Sequence, residues 1–287
     1  MRSSLHVIVD GGLDDALALA VLVGLGIPLA QVVATEGSVA RSVTASATVR
    51  WMTSLGSSSP VRIGEDRGIA GAYPDGRDPF HGADGFGGLV PTLDAAVDPV
   101  EPFRPLDGPV LCTGALTPVA RSLRLGHRVE RVCWMGGSVA HGGNMTPRAE
   151  FNAWMDPQAA DEVLGSGVPI RMVPLDVTTR FVWGDHELQA LRDASRATRL
   201  LADAVVGAHG RDAHFIPHDA VGAVSFVEPD LFSWGGHSVR CETAGTTARG
   251  ETVVDRWDTA GPVLVAEDVD VPGVTTRILA AIERLPR

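Results

Sequence analysis

The stretch LHVIVDGGLDDALALAVLVGLG at residues 5–26 decides the fold. Residues 5–9 form a short apolar run rich in β-branched side chains, the pattern of a buried strand, and the run breaks at Asp10-Gly11-Gly12. From Asp14 onward Ala and Leu dominate for about three turns, which predicts a buried helix with two acids in its first turn. Asp10, Asp14 and Asp15 therefore gather where a strand ends and a helix begins, the edge at which open α/β sheets bind ligands. Acids in a first helical turn commonly do no more than offset the helix dipole and cap free amides, and that accounts for Asp14 and Asp15. It does not account for Asp10, which ends a buried strand beside two like charges; repulsion there calls for a cation or shared protons. Oxygen-only ligands of this kind favour a hard cation such as calcium or magnesium. The stretch holds neither G-x-G-x-x-G for a dinucleotide nor G-x-x-x-x-G-K-[ST] for a nucleotide phosphate.

Outward from this unit, strand-like runs at 31–34, 61–64, 109–113, 129–135, 170–174 and 263–268 alternate with helical patterns at 44–55, 117–125, 157–164 and 274–284. Further helices are predicted at 186–194, 197–208 and 218–227, and residues 238–243 and 251–257 pair plausibly as antiparallel strands. The expected fold is α/β: a doubly wound, mostly parallel central sheet with helices on both faces and a small antiparallel extension. Residues 1–287 read as a single domain, with no linker or internal repeat to divide them. Between residues 68 and 91 Gly, Asp and Pro replace periodicity, and a loop of that length in a compact domain usually carries function.

Composition narrows the partners. At 287 residues and 45% apolar content the chain can bury one large core. It has no run of eighteen apolar residues and no leader-like N-terminus, so a cytoplasmic protein without a membrane partner is expected. A net charge of -11 argues against nucleic acid. Cys112, Cys133 and Cys241 form no C-x-x-C pair and lie in or beside strand-like runs, where buried free thiols are the ordinary case.

Several strand exits add polar groups in a pattern that resembles one family. Asp10-Gly11-Gly12-Leu13-Asp14-Asp15 is similar to the D-x-D-P-G-x-D-D signature of the inosine-uridine preferring nucleoside hydrolases, with Ile8 and Gly11 in place of its first Asp and its Pro. Thr113-Gly114-Ala115-Leu116-Thr117-Pro118 resembles the family's T-G-P-L-T-N segment, and Asn144 with Glu150-Phe151-Asn152 keeps the spacing of G-N-x(5)-E-F-N. His218-Asp219 resembles its H-D motif; residues 81–88 and 249–256 add two smaller matches, so the resemblance runs from residue 7 to about residue 282.

The resemblance implies hydrolysis of the N-glycosidic bond of a ribonucleoside to free base and ribose. It implies a calcium ion held by Asp10, Asp15, Asp219 and the carbonyl of Thr113, with Asp10 as the base that activates water. Asp14, Asn144, Glu150 and Asn152 would fix the sugar hydroxyls, and His218 would stand beside the leaving base as the nearest candidate acid. Ser38 replaces an Asn that the family keeps near the sugar, and Tyr73 is the only tyrosine, so base contacts fall to residues such as His81, Phe80, Trp183, His214 or Phe215. His218, where the purine-specific branch has Trp, argues against that branch. A homodimer or homotetramer is the family's usual state. The rival readings are a specialised N-glycoside hydrolase acting on a modified or pathway-specific nucleoside, and a catalytically silent module that binds a nucleoside or sugar.

Overall fold

The fold was obtained as a computed structural model, which describes residues 4–75, 81–88, 100–210, 214–255, 257–258 and 260–286. Its first strand, β1 (Leu5–Val9), is buried at every position, as a strand covered on both faces must be. Helix α1 (Leu13–Gly24) follows and is apolar around most of its circumference. That pattern fits its position, wedged between the sheet and the helices α8 (Arg196–His209), α9 (His218–Val227) and α10 (Val271–Ile282).

The remaining strands are β2 (Leu29–Ala34), β3 (Val61–Ile63), β4 (Gly108–Cys112), β5 (Val129–Met135), β6 (Ile170–Val173), β7 (Phe232–Cys241), β8 (Thr252–Asp255) and β9 (Val263–Val269). They join β1 in a nine-stranded sheet of order β3-β2-β1-β4-β5-β6-β9-β7-β8. Pairing is parallel from β3 through to β9, whereas β7 is antiparallel to both β9 and β8. The mostly parallel sheet and its antiparallel extension are as the sequence predicts. The antiparallel strand begins earlier than expected: β7 starts at Phe232 rather than near residue 238, because Phe232 to His237 pair along β9 before Ser238 to Cys241 turn to β8. The chain runs outward through β1, β2 and β3 and then returns to place β4 on the other side of β1. The strand order thus reverses between β1 and β4, where a crevice opens at the carboxyl ends.

The core lies on both faces of the sheet. One layer joins Val7 and Val9 to α1, α9 and α10; the other joins Ile8, Val110 and Cys112 to α3 (Thr117–Arg124) and α5 (Pro157–Leu164). Three further helices complete the side layers: α2 (Arg41–Ser54), α4 (Phe151–Met155) and α7 (Asp185–Ala194); a single turn, α6 (Leu175–Thr178), follows β6. All three cysteines are free and buried. Among the described residues no helix is long and apolar enough to cross a membrane.

Candidate active site

Asp10 leaves β1 at the reversal point, two residues after Ile8, whose side chain is fully buried in the core layer of α3 and α5. The backbone bends at once. Gly11 takes φ +91°, a conformation closed to the proline of the family signature, and frees the chain to enter α1. Gly37, at the exit of β2, must also lack a side chain, since a Cβ there would stand 2.4 Å from the Asp10 carbonyl oxygen.

Asp15 does not cap α1 in the ordinary sense. Its Oδ2 accepts from the amides of Asp10 and Gly11 at 3.0 and 2.9 Å, so it ties the helix back to the strand exit. Its Oδ1 lies 2.6 Å from the hydroxyl of Thr113 at the end of β4, and that hydroxyl also reaches the Ile8 carbonyl at 2.7 Å. These contacts, with the Thr113 amide donating to the same Ile8 carbonyl at 2.9 Å, tie the neighbouring strand ends to the head of α1.

Asp219 arrives from the other end of the sequence, in the first turn of α9, and is buried against the same group. The Asp14 carboxyl approaches it as a partner, and both line the cavity. Burial pushes the Asp10 and Asp219 carboxyls well above the usual range; the nearby charges of Asp15, Asp14 and Glu150 on the first, and of Asp14, Asp15 and Asp10 on the second, push them further. Asp15 is raised to about 7 by burial and by Asp14, against the pull of the Thr113 hydroxyl and two amides. Among the described residues, Oδ2 of Asp10 is buried without any hydrogen-bond partner.

These groups open into a cavity of about 630 Å³. On one side of it Glu150 is buried and its carboxylate is largely committed: Oε1 accepts from Asn152 at 2.9 Å, and Oε2 accepts from Gly137 at 2.7 Å and Ala153 at 3.1 Å. It caps α4 while lining the cavity, and burial raises it to about 7. Asn152 spends its amide hydrogens on the carbonyls of Thr113 and Met135 at 3.1 and 3.0 Å, leaving its oxygen to accept. Asn144 is the converse, its oxygen accepting from the Phe151 amide at 2.9 Å and its NH2 left to donate. Ser38 lines the same space.

Apolar and aromatic side chains, Met135, Met145, Phe151, Phe215 and Ile216, supply much of the remaining lining. His81 is held there by the Leu13 amide, which donates to its Nδ1 at 3.3 Å, and its loop is anchored by Phe86, fully buried edge-on to Trp51. His218 places Nδ1 2.7 Å from the Thr178 hydroxyl, and desolvation lowers its pKa even though Asp14 pulls it the other way. Of the site residues expected from the sequence, Asp10, Asp14, Ser38, His81, Thr113, Asn144, Glu150, Asn152, His218 and Asp219 line this cavity, while Asp15 accepts from the Asp10 amide behind it.

One of the expected base contacts needs correction. Trp183 is not in the cavity: it is 2% exposed and stacks edge-on against Phe215 at 6.3 Å, so it supports the wall instead of forming it. Phe80 lies outside the described residues. His214 and Phe215 do line the cavity. Met135, Met145, Phe151 and Ile216 were missed, because apolar residues beside a motif carry no sign of which way they face.

The profile of the inosine-uridine preferring nucleoside hydrolase family matches residues 7–276. The chain belongs to this family. Among curated relatives, this nucleoside hydrolase is 31% identical to a pyrimidine-specific ribonucleoside hydrolase of Shewanella woodyi, with 97% of each chain covered. It is 28% identical to a probable uridine nucleosidase of Oryza sativa subsp. japonica, covering 95% of this chain and 94% of that protein. Its fold is that of a plant nucleoside hydrolase, with a TM-score of 0.88 at 23% identity over 98% of this chain and 99% of the other. A purine-preferring ribonucleoside hydrolase from Gardnerella vaginalis superposes with a TM-score of 0.84, also at 23% identity and 98% coverage of both chains. The nucleoside hydrolase is therefore an N-glycosyl hydrolase that acts on ribonucleosides, in a family that is metal-dependent in general.

Among the described residues, no three Asp, Glu, His or Cys side chains stand ready-made as a metal ligand set. The donors nevertheless fit a hard cation: buried carboxyls crowded by like charge, all-oxygen chemistry, and an unpartnered Asp10 oxygen at their centre.

Proposed function

We propose that the protein hydrolyses the N-glycosidic bond of a ribonucleoside with the help of calcium, releasing free base and ribose. One observation carries this reading: the orphaned Oδ2 of Asp10, buried among carboxyls from distant segments at the strand-order reversal. Asp10, Asp15, Asp219 and the Thr113 carbonyl would hold the ion. When bound, it supplies positive charge that offsets these carboxylates, acidifies water and draws in sugar hydroxyls.

Asp10 takes the proton of the attacking water as general base, a role its burial and unpartnered oxygen suit. Asp14, Asn144, Glu150 and Asn152, with Ser38 beside them, grip the ribose by complementary donors and acceptors. Held this way, the sugar reaches the oxocarbenium-like state with its hydroxyls already positioned. The base departs toward the Met and Phe wall, where His218 meets it and His81 stands alongside. The names of the relatives, uridine nucleosidase and pyrimidine-specific hydrolase, favour a pyrimidine base.

A narrower reading is favoured by one local feature. Ser38 is shorter than the Asn it replaces and no tyrosine is among the described residues lining the cavity, which leaves room for a modified or pathway-specific nucleoside. A homodimer or homotetramer belongs to the same proposal. Ribose release from a panel of ribonucleosides tests both readings. Turnover of uridine or cytidine supports general hydrolysis, turnover of modified members alone supports the narrower reading, and release from none refutes both.

A further inference from the structure

We propose that Thr178 is a positioning residue, whose hydroxyl fixes the tautomer of His218 so that the ring presents Nε2–H to the departing base. The inference rests on the hydrolase reading of the cavity. Thr178 closes α6, the single turn that follows β6, and is fully buried. Its Oγ1 lies 2.7 Å from His218 Nδ1, the one hydrogen-bond partner of that hydroxyl among the described residues. A hydroxyl has one proton to place, and a buried one left without an acceptor is costly. With Thr178 donating, that proton has its acceptor and Nδ1 is occupied. With Nδ1 donating instead, the hydroxyl proton has nowhere to go. The ring proton therefore resides on Nε2, the only ring nitrogen left to face the cavity that His218 lines.

The choice of nitrogen matters at the moment of bond breaking. The C1′–N bond opens with its electron pair passing to the base, and the attacking water forms the C1′–O bond while giving its proton to Asp10. Negative charge gathers on the base, and Nε2–H meets it with a hydrogen bond; solvent supplies the base's proton as it leaves. The opposite tautomer would turn a bare lone pair toward the same charge. Bases that leave poorly depend on this contact, whereas an activated p-nitrophenolate does not.

The test uses full-length protein labelled with 15N-histidine at about pH 8, where an imidazole is neutral, with the His218 ring assigned by its loss in His218→Asn. Wild type and Thr178→Ser should show a bare Nδ1 and a protonated Nε2, and Thr178→Val a mixed or reversed pattern. In parallel, kcat for uridine should fall about tenfold or more in Thr178→Val and stay within about twofold in Thr178→Ser, with p-nitrophenyl riboside within about twofold in both. An unchanged tautomer in Thr178→Val, or equal loss on both substrates, overturns the proposal. If wild type releases ribose from no nucleoside while the tautomer shifts as expected, the hydrolase reading fails and the Thr178–His218 assignment stands.

Discussion

Asp10 combines two properties that rarely coexist: it is buried, and one of its carboxyl oxygens has no partner among the described residues. A buried acid that served only the fold would be fully bonded, as Glu150 nearly is, with three backbone amides on its two oxygens. Asp10→Asn keeps the shape and removes the basicity. It should lower kcat by at least about a thousandfold while leaving the circular dichroism spectrum and melting cooperativity unchanged; a variant retaining a tenth of wild-type turnover would end its role as base. The bland reading of the neighbouring acids survives in part. Asp15 does satisfy amides, but those of Asp10 and Gly11, and so it aims Asp10 as well as standing beside it.

At the scale of elements, the strand–turn–helix unit β1–α1 was legible because its apolar runs match a buried strand and a buried helix in turn, and because three acids at that junction have few innocent explanations. Thr113 and Asp219 were legible only through spacing shared with a family; nothing in Thr113-Gly114 by itself marks a strand end facing Asp15. The start of β7 was hidden because Ser233, Gly235 and Gly236 spoil any alternation, and only pairing with β9 makes that segment a strand. Trp183 was misplaced for a related reason, since an aromatic side chain announces burial and not direction. The turn α6 carries Asp176, which gathers the loop that follows β5: Oδ1 accepts from the amides of Ala140 and His141 at 2.7 and 3.0 Å, and Oδ2 from Val139 at 2.8 Å. That loop leads to Asn144. Asp176→Ala should therefore raise KM about tenfold with a smaller change in kcat, since loss of these bonds loosens the sugar wall more than the chemistry; steady-state kinetics with unaltered KM would show that the loop holds itself.

For the whole molecule, crowding carboxyls into one crevice makes stability depend on pH and on a counterion. Without a cation Asp15 and Glu150 keep their protons to about 7, against ordinary values of 3.8 and 4.5. Because these folded values are raised, the burial cost is absent at low pH, where folded and unfolded states are both protonated. The cost grows as pH climbs from about 4 to about 7, since there the folded state binds more protons than the unfolded one. Protein treated with a chelator should thus melt at a higher temperature at pH 5 than at pH 8, and calcium should raise the melting temperature more at pH 8. A chelated protein that melts higher at pH 8 would reverse that sign. The claim beneath all of this is that Asp10, Asp15 and Asp219, distant in the chain, share one cation. Calorimetric titration of calcium into chelator-stripped protein tests it directly: wild type should bind at a single site and Asp219→Asn at least about tenfold more weakly, whereas equal binding by the two, or none by wild type, would contradict it.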